Sequence, residues 1–402
     1  MTRALLSLLI GLATLPAGAQ LLINNAPTPQ NLVQSTLLGG GVVANNVQFN
    51  GMFGAPGGQP GCGAFTANGT NLGLASGIIL STGFVNDAPG MGDMTFASTG
   101  LFTGTDPDLA LLSGVAINDA TVLEFDFVPT GNSIEFRFVF ASEEYPEYVC
   151  ALVNDAFGFF LSGPGINGPF SNNAINLAQI PGTGVPVTIN TLNGGSAGDP
   201  MNGCDPFNCA AADPNWVANS AYYVDNLFGN TITYDGMTSV LTAGAQVQCG
   251  QTYHIKLAIG DGGDEIYDSA VFLEGGSFAS AQPVVNASPD VNLPCSGSVD
   301  ISILNVNGGT PPYTYEWTLN GNFVSANQTI TVGPGQQGTY VATVTDGCGA
   351  VVQEPVVVGA PISPAMNLTV TPDLNLPCSG SVDLEVLSLT GGTAPFTYAW
   401  TL

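Results

Sequence analysis

Two acidic segments stand out in a chain otherwise poor in charge. FASEEYPEYVCALVNDAFGFFLSGPG, Phe140 to Gly165, carries Glu143, Glu144, Glu147 and Asp155 beside an apolar run. IGDGGDEIYDSAVFLE adds Asp261, Asp264, Glu265 and Asp268. Calcium takes roughly six to eight oxygen ligands from carboxylates, amides, backbone carbonyls and water. Two loops at one end of a β-sandwich can supply such a set together. The candidate ligands are Glu143, Glu144, Asn154, Asp155, Asp261, Asp264 and Asp268, with Gly260, Gly262 and Gly263 letting the backbone bend. The competing reading is a pair of solvated acidic turns. Electrostatics favours the ion, because carboxylates held close together repel unless they share a cation or a proton.

Other chemistry is less well supported. Glu144 with Asp268 offers the acid and base of a polysaccharide hydrolase, although nothing in the sequence fixes their separation. GGSAG around Ser196 matches G-x-S-x-G, and the single histidine, His254, follows it. The nucleophile elbow needs a strand–turn–helix, whereas Ser196 sits in a Gly/Asn/Pro-rich loop. His254 reads as an outward-facing strand residue, and the chain is expected not to be an enzyme.

The eight cysteines include no C-x-x-C pair, which disfavours structural zinc. Cys204 and Cys209 bracket a short loop and suit a local disulfide. Cys62, Cys150 and Cys249 then supply another bridge and one free thiol, with connectivity left open.

Residues 1–19 read as a secretory signal: Arg3, an apolar run from Ala4 to Leu15, and Ala17-Gly18-Ala19 for cleavage. No later run is long enough to insert in a membrane. Cleavage removes one of the three Lys and Arg residues, leaving Arg137 and Lys256 against 30 acidic residues, a net charge of −28. Such a surface repels nucleic acid and anionic lipid and attracts divalent cations.

The elements that position the acidic loops are strands. ATVLEFDFVP and SIEFRFVFA alternate in polarity and are joined by Thr130-Gly131-Asn132. Leu123, Phe125 and Phe127 share one face, and Ile134, Phe136, Phe138 and Phe140 share another, together forming one core wall. Arg137 then meets Glu124 or Asp126 across the pair. AFGFFLSG, QTYHIKLAIGD and DSAVFLEGG add three strands, and no good amphipathic helix appears up to residue 280. The fold class is all-β: an N-terminal jelly-roll-like β-sandwich followed by smaller sandwich repeats.

The repeats are explicit. SPDVNLPCSGSVDISI from Ser288 recurs as TPDLNLPCSGSVDLEV from Thr371, and GGTPPYTYEWTLN from Gly308 as GGTAPFTYAWTL from Gly391. Domain boundaries follow at 20–280, 281–360 and 361–402, the last an incomplete unit. Cys295 and Cys348 are expected to pair across the complete one. The segments WTLNG and YVATVTDGCG resemble PKD-like and immunoglobulin-like repeats of bacterial surface proteins, including gliding-motility adhesins. Such modules usually act as spacers.

The two acidic segments, with GIILSTGFVNDAPG from Gly77, together resemble the choice-of-anchor L domain over roughly residues 30 to 280. The resemblance implies export, bacterial surface display and a C-terminal anchoring segment beyond Leu402, of the type IX secretion kind. The combined expectation is a calcium-stabilised, surface-displayed adhesion or binding protein whose partner is an extracellular glycan or surface protein. A hydrolase and a purely structural array are the alternatives.

Overall fold

A computed structural model describes residues 20–92, 97–362, 365–392 and 394–402. The signal sequence assigned to 1–19 lies outside them. The chain divides into two compact units, one ending at Ala281 and the other beginning at Gln282.

The first unit contains β1 (Leu22–Asn24), β2 (Val42–Phe49), β3 (Met52–Phe53), β4 (Cys62–Thr66), β5 (Ser76–Ser81), β6 (Ile117–Pro129), β7 (Ser133–Ser142) and β8 (Ala156–Ser162). These are followed by β9 (Ile175–Asn176), β10 (Tyr223–Asp225), β11 (Gly236–Thr238), β12 (Leu241–Gln246), β13 (Tyr253–Gly262), β14 (Ser269–Glu274) and β15 (Ala279–Ser280). One sheet runs β1-β4-β5-β14-β7-β11-β10, with β12 and β15 also pairing with β7. The other runs β3-β2-β6-β13-β8-β9. The all-β sandwich read from the sequence is the observed architecture.

The sequence suggests β6 and β7 as neighbours in one wall, but they belong to opposite sheets. Each presents one apolar face, and those faces meet across the core instead of extending a common surface. Phe125 and Phe127 on β6 both pack on Phe278, at 5.4 and 5.1 Å between ring centroids, and Phe136 on β7 stacks on the same ring at 5.2 Å. Phe138 and Phe140 meet Phe157 of β8 at 5.2 and 5.0 Å. Such pairs contribute about 0.5–1.5 kcal/mol each beyond area burial.

Facing sheets put the outward residues of β6 and β7 on opposite surfaces. Arg137 therefore does not reach Glu124 or Asp126. It pairs with Glu274 on adjacent β14 at 2.9 Å. Glu124 and Asp126 instead flank His254 of β13, which lies opposite Asp126 in register.

β5 and β14 are buried almost throughout, because a second apolar cluster covers the outer face of their sheet. Phe65, Ile79, Val139, Tyr234 and Phe272 belong to it. This explains why GIILS and SAVFLE are continuous apolar runs instead of alternating ones.

Short helices interrupt the loops where none was expected. Asp106 caps Pro107–Ser113, and Asp205 caps Pro206–Ala212. Both read Asp-Pro, the N-cap followed by proline at the first helical position. Among the described residues no helix is long and apolar enough to cross a membrane.

In the second unit, a three-stranded and a five-stranded sheet enclose Ile301, Ile303, Trp317, Tyr340, Val344 and Val356. Trp317 is fully buried, whereas Trp400, its equivalent in the repeat, is 55% exposed. The expected Cys295–Cys348 bridge does not form: Cys295 is a free, exposed thiol, and Cys348 is engaged in a disulfide. The reason is topological. Val291 pairs with Val358 at one end of strand Val351–Gly359, while Cys348 precedes the other end. Nine residues of strand span roughly 30 Å, far beyond the Cα separation of under about 7 Å that a disulfide allows.

Candidate cation site at the sheet crossings

Both acidic segments are crossings between the two sheets, and both lie at the same end. Glu143 and Glu144 follow β7, and Asp155 precedes β8 in the other sheet. Asp261 is the penultimate residue of β13, and Asp268 precedes β14 in the first sheet. β7 neighbours β14 with Ser142 opposite Ser269, and β8 neighbours β13 with Ala156 opposite Gly260. Those two registers set the crossings side by side.

The crossings are clamped to each other. Asn154 N donates to Gly262 O at 2.7 Å, and Gly262 N donates to Asp155 Oδ1 at 2.8 Å. A Cβ on Gly262 would collide with the Asn154 carbonyl, so glycine permits this approach. Asp155 Oδ2 accepts from Ser269 Oγ at 2.7 Å, and Asp155 N donates to Glu144 Oε2 at 3.4 Å.

Six of the seven candidate ligands are buried: Glu143, Glu144, Asn154, Asp155, Asp261 and Asp268. They are not solvated turns. They fall into two groups. Glu143 accepts from Ala97 N and Thr233 Oγ1, and Asp268 accepts from Thr99 N and Oγ1. Glu144, Asp155 and Asp261 form the second group. Asn154 is committed to Asn190 N and Ser113 O, and half-buried Asp264 to its own turn through Ile266 N.

Asp261 is the exception in this network. It is fully buried, and neither carboxyl oxygen has a hydrogen-bond partner. The Thr82 hydroxyl beside it is engaged with the Ser269 backbone, accepting from N at 2.9 Å and donating to O at 3.4 Å. On β6, Thr121 Oγ1, opposite Ile259 of β13, is also buried without a partner.

Burial pushes the Asp261 carboxyl well above its ordinary range, and Asp155, Asp268 and Glu144 add repulsion. Glu144 rises likewise, by burial and then by Asp155. Burial takes Asp155 and Glu143 each up to about 8, and Asp268 to about 6. At neutral pH the cluster therefore retains protons or takes up a cation. Among the described residues no three His, Cys, Asp or Glu side chains are already gathered into a metal cage. Asp155 is drawn toward its amide and hydroxyl donors, so an ion would have to bring Glu144, Asp155 and Asp261 closer together.

The cysteines beside this end depart from the local Cys204–Cys209 bridge. Cys209 bonds Cys150, with Cα atoms 4.9 Å apart. The helix from Pro206 turns Cys209 into the core, while Cys204 precedes the cap and directs its Sγ to Glu147 O at 3.2 Å. Cys249 is also disulfide-bonded, and Cys62 is a buried free thiol. Ser196 lies in an irregular loop followed by one 3-10 turn, Pro200–Asn202, so it occupies no nucleophile elbow.

A polar pocket on the outer face of the second sheet, around Lys256 and His254, carries no signal in the sequence. Its residues come from segments too distant in the chain for spacing to connect them.

No curated protein matches the chain. Among solved structures, it is similar to the two immunoglobulin domains of DIP-gamma, at 13% identity over 35% of this chain and 82% of that one, with a TM-score of 0.18. It is also similar to three N-terminal domains of the bacteriophage RB49 highly immunogenic outer capsid protein, at 12% identity over 43% and 58%, with a TM-score of 0.22. The family model described as the choice-of-anchor L domain matches residues 22–279, which contain all but the last strand residue, Ser280, of the two-sheet sandwich and both acidic crossings. The chain belongs to the choice-of-anchor L domain family and is a surface or secreted protein.

Proposed function

We propose that this protein is a surface-displayed adhesion protein whose N-terminal sandwich carries the binding surface and is stiffened by calcium at the sheet crossings. The immunoglobulin-like unit acts as a spacer, and the partner is an extracellular glycan or another surface protein. The observation that carries the calcium reading is Asp261: a fully buried carboxyl beside Asp155 and Glu144, with the Thr82 hydroxyl, shared with the Ser269 backbone, as its one neighbouring donor. An isolated buried carboxylate is costly. One divalent ion relieves three of them at once, and carboxylate oxygens suit calcium. Glu144, Asp155 and Asp261 would hold it, with backbone carbonyls and water completing the shell.

Polysaccharide hydrolysis by Glu144 and Asp268 fits less well. Both are buried, at 1% and 2% exposure, and a polymer has no access to them.

The test is thermal melting of the full chain in chelator and in rising calcium. A ligand that binds only the folded state stabilises it by about 2.7 kcal/mol at one hundred times its Kd. The expected result is a rise in Tm that chelator reverses and Asp261→Asn abolishes. A Tm independent of calcium would overturn the calcium reading and leave the cluster held by protons.

A further inference from the structure

The outer face of the β2-β6-β13-β8 layer carries a cavity of about 360 Å³, within the range of small-molecule sites. Its wall is the helix Pro107–Ser113 and its floor is β13, with Lys256 and His254 side by side on the outward face. Lys256 Nζ donates to Asp106 Oδ2 at 2.7 Å and to Asp108 Oδ2 at 2.6 Å, and lies 4.9 Å above the Phe160 ring. Asp108 Oδ1 accepts from Ser171 N and Oγ, both at 2.8 Å, which fixes the turn carrying exposed Asn172 at the rim. His254 bridges Asp126 at 2.9 Å and Glu124 at 3.3 Å.

Three properties of this cavity define its ligand. First, its carboxylates outnumber its cations: Asp106, Asp108 and Glu124 face Lys256 and His254, so the cavity repels anions and offers acceptor oxygens to neutral hydroxyl donors. Second, its lining combines carboxyl acceptors of Asp106, Asp108 and Glu124 with the Thr105 hydroxyl and the Asn172 amide, and hydroxyl groups, which both donate and accept, complement such a lining. Third, a buried ion cluster is often no more stable than an apolar packing of the same volume. Packing alone therefore does not account for the Lys256 cluster, whereas a preorganised polar floor does.

We propose that this cavity is a binding subsite for a neutral, hydroxyl-rich ligand, a sugar unit of an extracellular glycan. Lys256, Asp106 and Asp108 form its fixed floor, and Thr105, Asn172 and Glu124 contact the ligand at the mouth. The proposal rests on the reading of the protein as a binding protein and names one partner class for it. It is independent of the calcium site.

The test is binding of the full chain to immobilised neutral oligosaccharides of glucose, galactose, mannose and N-acetylglucosamine, with sulfated counterparts alongside. Thr105→Val and Asn172→Gly alter the mouth without disturbing the floor, and Arg137→Gln, on the opposite sheet, is the control. The expected result is binding of a neutral oligosaccharide that weakens at least tenfold in each mouth variant and is unchanged in the control. Binding that survives both mouth variants overturns the subsite while leaving glycan binding intact. A preference for sulfated ligands overturns the neutral class. A blank array overturns the subsite, and the adhesion reading then stands or falls on a separate assay of binding to surface protein.

Discussion

Asp155 and Ser269 join the two acidic crossings. The Ser269 hydroxyl, at the start of β14, donates to Asp155 Oδ2 at 2.7 Å just before β8, so a strand end in one sheet is tied to a strand end in the other. Both residues are fully buried. Ser269→Ala removes this donor and leaves half of a buried carboxyl unsatisfied. A loss of about 1–3 kcal/mol is expected, measured by denaturant unfolding of the full chain. An unchanged midpoint would show that the crossings are not held together through this hydroxyl.

The buried carboxyls set the pH response. Their folded pKa values are raised, to about 8 for Asp155 and Glu143 and about 6 for Asp268. The folded state therefore binds more protons than the unfolded state above the ordinary carboxylate range, and stability is lost as pH rises through the folded values. In chelator, Tm should fall between about pH 5 and pH 8. His254, raised by Glu124 and Asp126 against its burial, acts in the same direction. Calcium should flatten the fall, because the ion favours the ionised carboxylates. A Tm that climbs across this interval without metal would contradict the buried geometry.

Lys256 should be far more sensitive than Arg137. The Lys256 side chain is 13% exposed between two buried aspartates, and Arg137 is 47% exposed against Glu274. Lys256→Met leaves Asp106 and Asp108 buried without their cation and should cost about 3–5 kcal/mol. Arg137→Met should cost under about 1 kcal/mol. Adding Asp106→Asn and Asp108→Asn to Lys256→Met should recover much of the loss. Equal effects at the two cations, read from unfolding midpoints, would refute the contrast.

Thiol labelling separates the cysteines. Cys295 and Cys378 are exposed and should alkylate in the native protein. Cys62, which burial pushes up to about 12, and buried Cys204 should react only on unfolding. Peptide mapping after native alkylation reads the pattern, and a Cys295 that resists labelling would restore its bridge to Cys348. Cys150–Cys209 closes 59 residues, so Cys209→Ser should cost about 2–5 kcal/mol.

The sequence by itself determined the strands and the chemistry at their ends. Period-two alternation in ATVLEFDFVP and SIEFRFVFA states which side chains share a face, and carboxylates between apolar runs mark loops where strands stop. The 83-residue repeat identified the second unit. Asp-Pro at 106–107 and 205–206 is the local sequence signature of the two helix caps. Tertiary structure alone decided the partners. Alternation does not say whether two apolar faces lie side by side or face to face, and that choice sent β6 and β7 to opposite sheets and gave Arg137 to Glu274. Disulfide pairing followed from the same placement, because the length of one strand separates Cys295 from Cys348. Burial decided the character of Asp261: two crossings from distant parts of the chain close over its carboxyl and leave only the Thr82 hydroxyl beside it.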